Sequence, residues 1–330
     1  MKKEIIGIDV SKSTIDVWLH HAKDHKIFTN NESGFKKMMK WIIQLTQLTS
    51  SDVSFCLEHT GLYSIPLCMF LSSSEVSYYL VSGLLVKRSL GLVRGKNDKA
   101  DAQNLARFAF LHGHELQPYK MPCDAIMQLK QLHSFRARLV KQCSGYKVHL
   151  REMKYVLKGK SNNIIVNQSI EMVETFEKKI KTVEKEMRDL INSDESINTT
   201  FKQITGIKGV GLILAATVIV STNNFQSFET WRKFACYAGI APFEHRSGSS
   251  YKGKTRISSL GNRELKTLLS QAAATAIQYN PEMKIYYEKR VAEGKSKMST
   301  LNIIRNKIVS RIFAVARRQA PFVETFKFAA

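Results

Sequence analysis

The chain has 330 residues, of which 44% are hydrophobic, enough for two or three domains with real cores. No apolar run reaches the ~18 residues of a membrane span, and Asp9 and Lys12 interrupt any signal-peptide core, so a cytoplasmic protein is expected. Five dispersed cysteines without a CxxC pair argue against a disulfide framework or a zinc site. Net charge is +22, with only +3 on residues 1–115 and +19 on residues 116–330. An asymmetry of that size points to a polyanionic partner, most simply nucleic acid, rather than to a solubility surface.

Ile5 to Val10 is apolar and β-branched and reads as a buried strand; residues 14–20 and 25–30 read as its two successors. Phe35, Met38, Met39, Ile42 and Ile43 stripe a helix over 34–48, capped by Ser33 or Asn31. Residues 52–58 form a fourth strand, 64–72 a helix and 76–81 a fifth strand. A basic, glycine-containing loop over 90–97 leads into a helix from Asp98 that turns Ala102, Leu105, Ala106, Phe108 and Ala109 inward. The order predicts an α/β domain with a mixed sheet over residues 1–117.

Pro118 and Pro122 bracket a linker. A helix over about 123–158 spaces Leu132, Phe135, Leu139, Cys143, Tyr146, Leu150, Met153 and Leu157 at 3-4-4-3-4-3-4, and a second over 169–192 continues the pattern from Ile170 to Leu190. These are seams of coiled-coil type, predicting an antiparallel hairpin, a subunit contact or both over 118–198, with Lys158 to Asn163 as the turn. The third part, 199–330, opens with Gly206, Gly209 and Gly211 ahead of an apolar helix, similar to a helix-hairpin-helix, whose backbone N–H groups can approach a phosphate; a purely structural turn is an equal reading. A glycine- and serine-rich basic stretch, Gly239 to Ser258, precedes helices at 260–279, 281–293 and 298–318.

Asp9 lies inside a buried strand, Glu58 ends another, and Asp98 and Asp101 share one side of a helix's first turn. A buried carboxylate costs several kcal/mol unless a cation neutralises it. Capping explains Asp98 or Asp101 alone but not all four acids, and a divalent cation would resolve their repulsion. Mg²⁺, or Mn²⁺, suits oxygen ligands. Two such ions roughly 3.5–4 Å apart would stabilise the attacking and leaving oxygens of phosphoryl transfer.

Gly7-Ile8-Asp9, Glu58 to Tyr63 and Lys96 to Ala102 resemble the DEDD motif of a RuvC-like domain of RNase H type. Ala238 to Pro242, Arg246 to Ser250, then Gly253, Arg256 to Ser258, Gly261 and Leu265 resemble a C-terminal transposase domain. Together they are similar to the transposases of the insertion-sequence one-hundred-ten family, relatives of the Piv/MooV DNA invertases. The resemblance implies a DNA recombinase that moves its own element, in several members guided by a bridge RNA pairing with donor and target DNA. It implies Mg²⁺ on Asp9, Glu58, Asp98 and Asp101, a nucleophilic serine at Ser247, and an active site shared between subunits of a dimer or tetramer. Arg246 stands where an acid is often seen and Ser259 where a basic residue is common.

A serine hydroxyl needs activation by a base or a metal, and a phosphoserine link would conserve the phosphodiester energy for rejoining. Read without the resemblance, Ser247 is a phosphate-contacting or flexible loop residue. Arg246, Lys252, Lys254 and Arg256 suit phosphate contacts, as do Lys96, Lys208 and Arg263. His245 is more simply a structural or phosphate contact than a proton carrier. The alternatives are a metal-dependent nuclease of branched DNA and a non-catalytic nucleic-acid scaffold.

Overall fold

The computed structural model describes residues 4–59, 61–91, 97–156, 164–244, 246–247, 251–253 and 255–323, with backbone alone at Ser50, Leu90, Arg246, Ser247, Tyr251 and Lys252. The chain divides into two compact units, Met1–Met121 and Pro122–Ala330.

In the first unit, β1 (Glu4–Val10), β2 (Thr14–Leu19) and β3 (His25–Thr29) form an antiparallel meander, and β4 (Val53–Glu58) and β5 (Ser77–Val81) add in parallel, giving the order β3-β2-β1-β4-β5. The first turn is tied by Ser11, whose hydroxyl donates to the Thr14 carbonyl at 2.8 Å and accepts from the Thr14 N–H. Alternation along the strands divides the sheet into two faces. Ile6, Ile8 and Val10, with Ile15, Val17, Leu19, Val53, Phe55 and Leu57, pack against α1 (Glu32–Thr46) and α2 (Ile65–Ser73) through Phe35, Met38, Ile42, Leu67 and Leu71. Each such fully buried side chain is worth about 1.5–3 kcal/mol of transfer free energy. Asn31 is the cap of α1, its side chain accepting from Gly34 N–H at 2.9 Å.

The opposite face carries Gly7, Asp9, Trp18, Cys56 and Val81 and is covered by α4 (Asp98–His112), whose Ala102 and Ala106 meet Trp18 and whose Leu105, Phe108 and Ala109 meet Cys56 and Val81. Gly7 makes the close approach possible: a Cβ there would lie 2.0 Å from the Ala102 carbonyl oxygen. α3 (Gly83–Leu90) follows β5 directly, where the sequence predicts only a strand end and a loop.

In the second unit, α5 (Asp124–Val156) and α6 (Ile164–Ser193) run antiparallel, as the pairs Arg136–Glu184 and Lys147–Glu177 and the ring contact Tyr146–Phe176 require. Helix α6 begins earlier than its spacing predicts, and the expected turn over 158–163 lies outside the described residues. On α5 the expected seam shifts: Phe135 is 45% exposed, while Ile126, Leu129, His133, Leu139 and Cys143 are buried. The cause is a second partner. α5 packs on α8 as well as α6, and the Nε2 of His133 lies 2.8 Å from Thr217 Oγ1 on α8.

The remaining elements are α7 (Glu195–Thr205), α8 (Leu212–Thr222), α9 (Trp231–Tyr237), two short strand pairs within 242–257, α10 (Arg263–Tyr279), α11 (Pro281–Ala292) and α12 (Lys297–Arg318). They share one core with the base of the hairpin, centred on Ile204, Ala215, Ile219, Phe234, Leu269, Ile308 and Ile312. No helix among the described residues is long and apolar enough to cross a membrane.

Candidate active site

Asp9 sits near the end of β1 on the face covered by α4. The register pairs it with Asp16 across β1–β2. Ile8 pairs with Leu57 on the parallel neighbour, so Asp9 and Glu58 are the next residues of adjacent strands. Helix α4 delivers Asp98 and Asp101 in its first turn. Neither acid is the helix cap: the Asn97 side chain accepts from Ala100 N–H at 2.7 Å and does that work. The two acids gain from the helix dipole, and their carboxylates remain free of capping.

The electrostatics tie the group together. The Asp9 carboxyl is pushed up to about 6, first by burial and then by repulsion from Asp101, Asp98, Asp16 and Glu58. Four acids, from β2, β4 and α4, therefore act on Asp9 of β1. Asp16, which sequence reasoning passed over, is 6% exposed and lies 2.8 Å from His25 Nε2 on β3. Its signal was available: Ile15, Val17 and Leu19 claim one face of β2, leaving Asp16 on the Asp9 face. Among the described residues, no three carboxylate, thiol or imidazole side chains converge closely enough to hold a metal ion as they stand. The donor types are nonetheless all oxygen, and the part of the Asp9 shift that follows burial, repulsion from the neighbouring acids, is what a divalent cation would relieve. The residue types are those a hard divalent cation takes, but the described side chains do not converge into a site.

The Glu58 carboxylate lies against the start of α3: a Cβ on Gly83, the first residue of that helix, would lie 2.1 Å from Glu58 Oε1 and 2.5 Å from its Cδ, so a larger residue there would turn the carboxylate aside.

In the second unit, the segment containing Ser247 is closed at its base by two glycines. Gly239, at φ +68°, meets Gly261 backbone to backbone, and a Cβ on Gly261 would lie 2.1 Å from Gly239 Cα. Asn262 N–H donates to the Tyr237 carbonyl at 2.8 Å beside them. Asn302 and Asn306 of α12 both donate to the Ile240 carbonyl, at 2.9 and 3.1 Å, fixing the start of the segment. Arg246 and Ser247 form a short strand pairing with Tyr251 and Lys252, and Arg256 pairs with Phe243 and is exposed. Arg263 is exposed at the start of α10. Lys208 is exposed in the α7–α8 turn, where Gly209 takes φ +94° and a Cβ on it would lie 2.4 Å from the Ala272 carbonyl oxygen. Lys96, His245 and Lys254 lie outside the described residues.

Comparison with known proteins bears on both units. A family model for the DEDD transposases of IS110 type matches residues 6–159, and the family model described as "Transposase IS116/IS110/IS902 family" matches residues 202–288. The chain belongs to the IS110 family of transposases. The pilin gene-inverting protein of Moraxella bovis is 27% identical over 330 residues, covering 98% of each chain. The transposase for insertion sequence element IS1111A of Coxiella burnetii is 23% identical over 257 residues, 69% of this chain and 68% of the relative. A 43.6 kDa protein of insertion element IS110 from Streptomyces coelicolor is 32% identical over 114 residues, 34% of this chain and 28% of the relative. Membership makes the chain a DNA-cutting and rejoining enzyme, and its DEDD domain points to a divalent metal.

Proposed function

We propose that this IS110-family transposase cuts and rejoins DNA through Ser247, with Asp9, Glu58, Asp98 and Asp101 holding Mg²⁺ or Mn²⁺ in a RuvC-like domain of RNase H type. The observation that supports the reading is the gathering of acids from β1, β4 and the first turn of α4 at one sheet face, with Asp16 beside Asp9 and each of them raising the Asp9 carboxyl. Bound there, a divalent ion supplies charge neutralisation at a reacting phosphate. Asp9 and Glu58 are set by strand register, Asp98 and Asp101 by the Asn97 cap, and Gly83 leaves room for the Glu58 carboxylate. Ser247 attacks a phosphodiester, forming a phosphoserine bond as the P–O bond to the leaving DNA hydroxyl breaks. Attack by another DNA hydroxyl reverses the exchange and needs no ATP. Arg246, Lys252, Lys254, Arg256, Arg263, Lys208 and Lys96 contact backbone phosphates, consistent with the +19 carried by residues 116–330.

The partners proposed are donor and target DNA, a bridge RNA that supplies target choice, and further copies of the chain, from dimer to tetramer. The α5–α6 hairpin, in a coiled-coil manner, suits subunit contact: Val148, Tyr155, Val156, Ile164 and Ile165 are 46–87% exposed at its far end. Purifying the protein from cells and sequencing any bound RNA tests the guide. A preparation free of RNA that still recombines a defined target would refute it. Asp9→Asn tests the acids: loss of strand exchange with retained DNA binding is expected, and full exchange would refute their role.

A further inference from the structure

Arg305 on α12 is 4% exposed. An arginine stays charged, and a buried charge is strongly unfavourable unless a counter-charge meets it. The other partly buried arginines of this unit follow that rule. Arg311, with a side chain 20% exposed, holds both carboxylate oxygens of Glu282 at 2.7 Å, and Arg136, at 21%, holds Glu184 at 2.7 Å. Arg305 is more buried than either and forms no ion pair with a described carboxylate. Among the described residues its Nε has no hydrogen-bond partner, and its Nη1 donates only to Asn302 Oδ1, at a long 3.3 Å. Burial alone, without any neighbouring charge, holds the guanidinium below its usual range.

The place of this unmatched cation is informative. Asn302, its one partner, donates through Nδ2 to the Ile240 carbonyl, as does Asn306. Ile240 opens the segment that the Gly239–Gly261 contact closes and that contains Ser247. A guanidinium in fork geometry, largely buried and lacking an anion among the described residues, is complementary to a phosphate oxygen arriving from outside the chain.

We infer that Arg305 is a phosphate-binding residue of the second unit, receiving a backbone phosphodiester of the DNA engaged by the Gly239–Gly261 segment. This rests on the proposal that the segment acts on DNA. The uncompensated charge is a cost carried by the free protein and recovered on binding. Asn302 is the positioning residue that ties the guanidinium to the Ile240 backbone.

The test is Arg305→Met, which keeps much of the buried length and removes the charge, with Arg305→Lys as the charge-retaining control. Salt-dependent affinity is measured for a short duplex DNA and for a single-stranded RNA, together with thermal stability of each protein free of nucleic acid. Arg305→Met is expected to melt no lower than the wild type, because removing an unpaired buried charge relieves a cost. Its duplex affinity is expected to fall about tenfold and the log–log salt slope to shrink by about one, while Arg305→Lys keeps the slope. A wild-type slope in Arg305→Met overturns the inference, whatever its melting temperature. A slope reduced for RNA but unchanged for duplex DNA overturns the assignment to DNA. If the wild type itself shows no salt-dependent DNA binding, it is the proposed function that fails, a result distinct from either.

Discussion

Gly83 and Glu58 are in backbone-to-carboxylate contact: a single methyl added at Gly83 would fall 2.1 Å from Glu58 Oε1. The contact comes from the first turn of a helix whose existence the sequence did not announce. The atoms a methyl at Gly83 would meet are the far end of a flexible, half-buried side chain, so Gly83→Ala turns the Glu58 carboxylate aside without straining the backbone. Strand exchange is expected to fall at least about tenfold, with stability changed by no more than about 0.5 kcal/mol. Glu58→Asp shortens the acid by one methylene, so the double variant should bind Mn²⁺ better than the two single losses combined would predict. Calorimetric Mn²⁺ titration of the four proteins checks this, and strictly additive losses would count against the contact.

Asp9 predicts a pH signature. Its carboxyl titrates near 6 in the folded chain against 3.8 ordinarily, so the folded state favours the protonated form. The stability it contributes is present at low pH and is lost as pH rises through about 6. A rise of that size would be worth about 3 kcal/mol for a fully buried group; solvent screening at this half-buried position leaves about 1 kcal/mol. Metal-free Asp9→Asn should thus be more stable than the wild type at about pH 7.5, with the gap shrinking below about pH 6, halved near pH 5 and closing near pH 4. Mg²⁺ should raise the melting temperature of the wild type at the higher pH and leave Asp9→Asn unmoved. Chemical denaturation at both pH values, with and without the ion, measures it.

Gly239 and Gly261 make a parallel prediction for the second unit. Gly261→Ala must separate two backbones, because a Cβ there would lie 2.1 Å from Gly239 Cα. The expected cost is about 1–3 kcal/mol, with recombination lost more steeply than stability because the segment containing Ser247 shifts. Melting curves beside an exchange assay check the comparison.

His133 couples the hairpin to the core. Burial holds its imidazole below the ordinary value, against an upward pull from Glu264. The folded state favours neutral His133, so its contribution is full above the unfolded pKa of about 6.5 and is lost on acidification. His133→Gln, which can still hydrogen-bond Thr217, should flatten the loss of stability between about pH 7 and pH 5. Denaturation midpoints across that range decide it.

Much of the first unit was legible because its strands alternate and its acids interrupt apolar runs. Asp9 broke an apolar run and Glu58 ended another, and strand register sets these two side by side, while Asp98 and Asp101 come from the first turn of the helix that covers that face. Asp16 escaped because it looks like an ordinary polar position on a half-buried strand; only its pairing with Asp9 gives it meaning. α3 escaped because Gly83-Leu84-Leu85 shows no period over eight residues and leaves Leu84 and Leu85 about half exposed. Phe135 was misplaced because a heptad reading assumes one partner helix, and α5 has two. Arg305 escaped because a cation in a basic helix reads as solvated, as Lys307 and Arg317 beside it do; its burial is a property of packing that spacing does not encode.

The most direct measurement is the fate of the Ser247 hydroxyl. The wild type, with Mg²⁺ and a DNA substrate it recombines, should yield a covalent protein–DNA adduct that maps to Ser247 by peptide mass. Ser247→Ala should give neither adduct nor strand exchange while binding DNA as before. An adduct on another residue, or full strand exchange by Ser247→Ala, would contradict the account.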